Sequence, residues 1–246
     1  MNWQAELNVA TRAAELAGAC LMEQFQANPH VLSEDGKDIK TLADLEAESI
    51  ILSKLSETKL PIIAEESASD SLQDSLHWLV DPLDGTMNFT RGFPVFAVSI
   101  ALWDGLTPVL GVILDLATQN LYTGIAGHAS WMNQTPIRVS SVDSTDRAIL
   151  ATGFPSLRNY DEEKLTQFVG HIQAFKKIRM IGSAALSMAN VAKGVFDAYF
   201  EEDIMLWDIA AGAAIVDGAG GRLLIRPGNR THSVHAIATN GQLNFE

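Results

Sequence analysis

The run Asp81-Pro82-Leu83-Asp84-Gly85-Thr86 gathers several groups able to do chemistry onto one short turn. An apolar stretch, Trp78-Leu79-Val80, leads into Asp81 and predicts a buried strand that ends there. Pro82 keeps the residue before it out of helical dihedrals, and the chain then turns. Two carboxylates and the Leu83 carbonyl are thereby able to converge on one point. Gly85 permits close backbone approach to a ligand, and the N–H groups of Gly85 and Thr86 are free to face an oxyanion. Carboxylates with a carbonyl oxygen form a hard-oxygen site of the kind Mg²⁺ takes, and N–H donors beside it suit a phosphate. Asp-Pro followed by Gly also makes ordinary turns, so this run alone leaves both readings open.

Other acidic positions are weak one at a time. Asp208 follows Trp207 at a predicted helix start, where a carboxylate simply complements the helix dipole. Glu65-Glu66 at the end of an apolar strand reads alone as a solvated pair. Thr41-Leu42-Ala43-Asp44 has the spacing of a capping box, with Asp where Glu is more usual.

The elements that must position these residues follow from periodicity. Leu7, Ala10, Ala14, Ala17, Leu21 and Phe25 recur at three and four and predict a first helix, stopped at Asn28-Pro29. A polar loop over 33–40 follows, then a helix from about Thr41 to Leu55 with Leu42, Leu45, Leu52 and Leu55 expected on its apolar face. Pro61-Ile62-Ile63-Ala64 predicts a short strand. Val95 to Trp103 and Thr107 to Asp115 predict long strands joined at Asp104-Gly105, and Asn120 to Ile125 and Ile137-Arg138-Val139 predict two more. After about residue 141 strands and helices alternate: strands at 149–152, 178–181, 222–225 and 236–239, helices at 162–176, 183–196 and 208–218. A meander followed by alternation predicts an α/β layered sandwich in two halves, 1–140 and 141–246, with the site at their junction.

Composition narrows the function. The 246 residues carry 30 acidic against 17 basic side chains, a formal net charge of −13. Nucleic acid and anionic membranes reward the opposite sign, so neither is expected as a partner. The single cysteine, Cys20, allows no intramolecular disulfide and no cysteine zinc cluster. Glu6, Arg12 and Glu15 interrupt any apolar leader, and the longest apolar run, Gly92 to Trp103, is too short to span a bilayer. The expectation is a cytoplasmic protein. There is no P-loop, Gly-x-Ser-x-Gly elbow or His-Glu-x-x-His motif. Gln26, not Arg, stands six after Cys20, and Asp81 and Asp84 are three apart, which argues against cysteine and aspartyl-phosphate phosphatases.

Taken together, Glu65-Glu66-Ser67, then Asp81 to Thr86 with Asn88-Phe89, then Trp207-Asp208-Ile209-Ala210-Ala211-Gly212 resemble the inositol monophosphatase family in order and spacing. Arg91 to Ile100 and Gly182-Ser183-Ala184-Ala185 extend the similarity over nearly the whole chain. The resemblance implies a lithium-sensitive, Mg²⁺-dependent phosphatase acting on a small phosphorylated polyol or sugar, a homodimer, and the αβαβα sandwich of the sugar phosphatases. It implies that Glu65, Asp81 and the Leu83 carbonyl hold one Mg²⁺, and that Asp81, Asp84 and Asp208 hold a second. Gly85 and Thr86 would bind phosphate, and Thr86 paired with Asp44 would orient or deprotonate the attacking water. Glu201 would contact a substrate hydroxyl, with Gly182, Ser183 and Ala184 lining the same pocket. Such a cation site also accounts for an acidic protein with an anionic substrate, because bound metals invert the local potential.

The sequence departs from the family at Lys37-Asp38-Ile39-Lys40, where the loop is shorter, at Glu202-Asp203, where relatives often have a glycine, and at Asn133-Gln134, often Asn-Gly. Alternative substrates are 3′-phosphoadenosine 5′-phosphate, fructose 1,6-bisphosphate and histidinol phosphate, although Met87-Asn88-Phe89 and Glu201 fit the inositol type better. A different class of function, a weakly catalytic regulator that binds metal and sugar phosphate, also accommodates these residues.

Overall fold

The computed structural model describes residues 3–27, 31–35, 38–67, 75–154 and 161–245, with the positions between 31 and 40 given by backbone course alone. Lys37 lies outside them. The first helix, α1 (Gln4–Gln26), buries Leu7, Ala10, Ala14, Ala17 and Leu21, the face its spacing predicts. Where polar composition predicted a loop, β1 (Val31–Asp35) and β2 (Asp38–Thr41) form an antiparallel ribbon.

Thr41 caps the next helix, α2 (Leu42–Leu55). Its Oγ1 accepts the N–H groups of Ala43 at 3.1 Å and Asp44 at 3.4 Å, and Asp44 Oδ2 accepts the Thr41 N–H at 2.7 Å. This is a complete capping box, with Asp in the fourth position. The box turns Asp44 inward and so sets the rotation of the helix. The buried stripe is Ala43, Ala47, Ile51 and Leu55 together with Asp44 and Glu48. Leu42 and Leu45, expected on the apolar face, are instead 40% and 38% exposed.

Seven strands form the first sheet in sequence order: β3 (Ile62–Ala64), β4 (Leu76–Asp84), β5 (Ala97–Asp104), β6 (Thr107–Asp115), β7 (Asn120–Ile125), β8 (Ala129–Met132) and β9 (Thr135–Ile137). Only β3 and β4 run parallel; every other neighbouring pair is antiparallel. A short helix, α3 (Thr86–Arg91), interrupts the passage from β4 to β5.

The second sheet has the order β11-β10-β12-β14-β13. Its strands are β10 (Ile149–Thr152), β11 (Lys177–Arg179), β12 (Ala198–Met205), β13 (Arg222–Pro227) and β14 (Ser233–Thr239), and it is mixed, β10 being parallel to both its neighbours. The intervening helices are α4 (Glu162–Gln173), α5 (Ala184–Ala192) and α6 (Leu206–Gly218).

Three cores define the layering. One lies between the α1–α2 pair and the first sheet and contains Leu21, Ile51, Trp78 and Phe96. A second surrounds α5 and α6, which sit between the two sheets. The third joins Phe168 of α4 to Leu150 and Phe200 on the far face of the second sheet. The result is the α/β sandwich in the order αβαβα. Small residues let α6 lie close to the first sheet: a Cβ on Gly111 of β6 would stand 2.2 Å from the Ala211 carbonyl oxygen. Among the described residues no helix is long and apolar enough to cross a membrane.

Candidate active site

Side chains three apart on a regular strand point to opposite faces. Asp81 and Asp84 escape this because β4 carries a bulge between them: Asp81 pairs with Ser99 and Asp84 with Ala97, so three steps on β4 match two on β5. Pro82, which has no N–H to give a ladder, lies within the bulge. Both carboxylates therefore turn toward the layer of α5 and α6. Asp81 Oδ1 accepts the Leu83 N–H at 2.9 Å. The two oxygens of Asp84 accept the N–H groups of Ala184 at 3.2 Å and Ala185 at 3.1 Å, and Ser183 Oγ donates to Oδ2 as well. Asp84 is thus docked on the N-terminus of α5, where the helix dipole favours negative charge.

Glu65 reaches the same place by a different route. The parallel register pairs Ala64 with Val80, so the residues that follow, Glu65 and Asp81, leave adjacent strands side by side. A buried glutamate the sequence did not single out, Glu48, accepts the Glu66 N–H at 2.9 Å and steadies the turn Glu65–Ser67. Asp208 arrives from the first turn of α6. That turn is tied down by Leu206 N–H to the His232 carbonyl at 2.9 Å and by Ser99 Oγ to the Trp207 carbonyl at 3.4 Å.

Electrostatics show that these carboxylates share one environment. Asp81 is 2% exposed, and burial raises its pKa well above the ordinary value. The charges of Glu65, Asp84 and Asp208 raise it further, so the strongest charged influences on it are all carboxylates. Asp208 keeps partial contact with solvent and is also pushed well up, by burial first and then by Glu65, Asp84 and Glu201. Burial raises Asp84 to about 6 against the opposing hydrogen bonds from Ser183 and α5.

Around this cluster stand the other expected residues. Thr86 Oγ1 is 3.2 Å from Asp44 Oδ1 and 3.0 Å from the Leu83 carbonyl oxygen. Asp44 is raised by burial to about 6, with the Thr41 hydrogen bonds opposing the shift. Gly85 sits at φ +90°, and a Cβ there would meet the Val95 carbonyl oxygen at 2.8 Å. Glu201 on β12 accepts the Tyr199 hydroxyl at 2.7 Å and is raised by burial to about 7. A Cβ on Gly153 would stand 2.6 Å from Glu201 Oε1, so residue 153 has to be small for Glu201 to keep its place. Neither Tyr199 nor Gly153 was legible as a site residue. Tyr199 meets Glu201 as its same-face neighbour two residues away on β12, a strand the sequence did not reveal, and Gly153 meets it through the β10–β12 register, Thr152 opposite Phe200, which no local motif encodes.

Asp203, a departure near the expected pocket, has a structural job. It lies at φ +56° in a bulge of β12 between Glu201 and Ile204. Its carboxylate accepts Asn229 N–H and Asn229 Nδ2, both at 2.6 Å. Burial, the largest single influence, would raise its pKa, but these bonds together with the nearby His235 and Arg230 outweigh it and the net shift is downward. Those bonds anchor the 228–233 turn, which in turn holds the start of α6.

The donor set fits Mg²⁺: four carboxylates and a backbone carbonyl are all hard oxygens. Among the described residues no three His, Cys, Asp or Glu side chains stand so as to hold a metal ion. The acidic groups are nonetheless close enough to raise one another's pKa. A cavity of about 940 Å³ lies elsewhere, between α1 and β6–β8, lined by Leu7, Met22, Leu114, Leu121 and Trp131 among others. It holds none of the clustered carboxylates.

The sequence profile of the inositol monophosphatase family matches residues 2–244. The chain belongs to the inositol monophosphatase family. Membership places it among the phosphoric monoester hydrolases. An inositol-1-monophosphatase of Mesorhizobium japonicum is 38% identical over 221 residues, covering 87% of this chain and 83% of that protein. A protein named Nus factor SuhB, of Xylella fastidiosa, is 36% identical and covers 87% of this chain and 80% of its own length. Among solved structures, the extragenic suppressor protein suhB of Bartonella henselae superposes with a TM-score of 0.85 at 34% identity, covering 97% of this chain and 95% of that one. The inositol monophosphatase of Anabaena gives 0.81 at 33% identity, covering 98% and 93%.

Proposed function

We propose that this inositol monophosphatase family member hydrolyses a small phosphate monoester, with inositol monophosphate first among its substrates. Glu65, Asp81 and the Leu83 carbonyl would hold one Mg²⁺, and Asp81, Asp84 and Asp208 a second. The supporting observation is the mutual influence of carboxylates on Asp81 from three separate parts of the chain. When bound, the cations lower the pKa of water, neutralise the phosphoryl oxygens and stabilise the leaving alkoxide.

The remaining roles belong to the protein. Thr86 has one hydroxyl hydrogen and two acceptors within reach. Giving that hydrogen to ionised Asp44 leaves its oxygen lone pairs able to accept from, and orient, an attacking water. Gly85 and Thr86 face the phosphate. Glu201, held by Tyr199, accepts a hydrogen bond from a substrate hydroxyl, and Gly182, Ser183 and Ala184 form the adjoining wall. The two halves, 1–140 and 141–246, meet at this site. We further place the protein in the cytoplasm as a homodimer, an arrangement sedimentation reads directly, and expect Li⁺ to inhibit it.

Rates of phosphate release from inositol monophosphate, fructose 1,6-bisphosphate, 3′-phosphoadenosine 5′-phosphate and histidinol phosphate, compared at fixed Mg²⁺, test this reading. Inositol monophosphate is expected to be fastest; another substrate leading by more than about tenfold would move the specificity elsewhere. A second reading is a catalytically weak regulator that binds metal and sugar phosphate; two relatives carry the name Nus factor SuhB. Binding without phosphate release from any of the four substrates would select it.

A further inference from the structure

We propose that Asn88, on α3, is a positioning residue that locks the 181–183 loop against the phosphate-facing turn and, through Ser183, fixes the carboxylate of Asp84. Its Nδ2 lies 2.8 Å from the Val95 carbonyl oxygen, 2.9 Å from that of Ile181 and 3.2 Å from that of Gly182. One NH₂ group has two hydrogens. Val95 and Ile181 take them at good length, and Gly182 shares at the longer one. A single side chain thereby joins the segment after α3 to a loop that belongs to the other sheet.

The contacts continue into the acidic cluster. Gly182 has φ +71°, and a Cβ there would stand 3.0 Å from Asn88 Nδ2, so the loop passes Asn88 at van der Waals distance. The next residue, Ser183, caps α5 by accepting the Leu186 N–H at 3.1 Å, and its hydroxyl donates to Asp84. Asp84 is followed directly by Gly85, against which lie the carbonyl oxygens of Val95 and Gly182, 2.8 Å and 3.2 Å from where its Cβ would be. Those are two of the three carbonyls that Asn88 holds. The path therefore closes on itself: Asn88, Gly182, Ser183, Asp84, Gly85 and back into α3. Such a ring fixes both neighbours of Gly85 and the direction of the Asp84 oxygens together. Residues that orient a ligating carboxylate in this way govern metal affinity and rate by about 10–100-fold.

The activity and Mn²⁺ arms of the test rest on the phosphatase reading and its metal assignment; the hydrogen-exchange arm does not. Asn88→Ala, Asn88→Ser, Ser183→Ala and the Asn88→Ala/Ser183→Ala pair are compared with the unaltered protein. Hydrogen exchange by mass spectrometry, Mn²⁺ binding by calorimetry, and separate kcat and KM for inositol monophosphate are measured well below each variant's melting temperature. Asn88→Ala is expected to speed exchange over 181–187 while leaving 97–115 unchanged, to weaken Mn²⁺ binding by about tenfold or more, and to lower kcat more than it raises KM. Asn88→Ser, which keeps one donor, recovers part of each loss and supplies the same readouts should the alanine variant fail to fold. Because Asn88 acts through Ser183, the paired variant loses less than the product of the two single losses. Mn²⁺ affinity and 181–187 exchange within twofold of the unaltered protein, or losses that multiply in the pair, would overturn the proposal. An unaltered protein that binds Mn²⁺ but releases no phosphate would sink the functional reading alone, and exchange and binding would still judge Asn88.

Discussion

At the residue scale, the acidic residues proposed as ligands and Thr86 could be named from the sequence because each carries its chemistry in its own side chain. Their supports could not. Glu48 acts on a backbone N–H 18 residues away and Asn88 on two carbonyls more than 90 residues away, Tyr199 meets Glu201 within a strand the sequence did not reveal, and Gly153 matters through space it leaves empty. Two substitutions separate these classes. Thr86→Ala is expected to keep fold and Mn²⁺ binding but lower kcat by about 10²–10⁴-fold, the usual worth of a proton-handling group. A kcat within tenfold of the unaltered enzyme would remove Thr86 from the chemistry. Glu48→Ala strips the Glu66 N–H of its acceptor and is expected to lower stability by roughly 1–3 kcal/mol in denaturant titrations. Glu48→Gln, which retains a carbonyl acceptor, is expected to recover most of it; equal loss in both would show that the acceptor is not what matters.

Elements were readable where an apolar or alternating run stood between turn residues, as in β6, β7 and β10, whose bounds agree with those expected. The failures have local causes. The β12 strand went unseen because its bulge at Glu201–Ile204 breaks the alternation just where three acidic residues occur in succession. The buried face of α2 differs from the leucine stripe because the capping box sets the rotation and turns Ala43 and Ala47 inward. The β8 strand was missed with its turn. Asn133 and Gln134 join β8 to β9 with φ of +48° and +68°, both left-handed, the arrangement in which Asn-Gly is favoured. Glycine at the second position relieves the strain, so Gln134→Gly is predicted to stabilise the protein by up to about 1 kcal/mol. A lowered denaturation midpoint would contradict this account of the hairpin.

For the whole molecule, a net charge of −13 with several carboxyls buried together makes stability depend on protons and cations jointly. Asp44 and Asp84 sit at about 6 and Glu201 at about 7, with Asp81 and Asp208 also raised. Each therefore holds its proton more tightly in the folded chain than in the unfolded one. The stability this gives is complete below about pH 4 and is lost as pH rises through about 6–7. Chelator-treated protein is expected to lose melting temperature across that window, and Mg²⁺ to restore more of it at pH 8 than at pH 5 (an unchanging melting temperature would deny that these groups are buried as acids). The layered fold itself was visible as a meander followed by alternation, but the convergence of the cluster depends on one β-bulge and one parallel register. The most direct test is the anomalous scattering of Mn²⁺ soaked into crystals of the protein. The account predicts peaks bounded by the carboxylates of Glu65, Asp81, Asp84 and Asp208; ordered Mn²⁺ elsewhere, with that cleft empty, would contradict it.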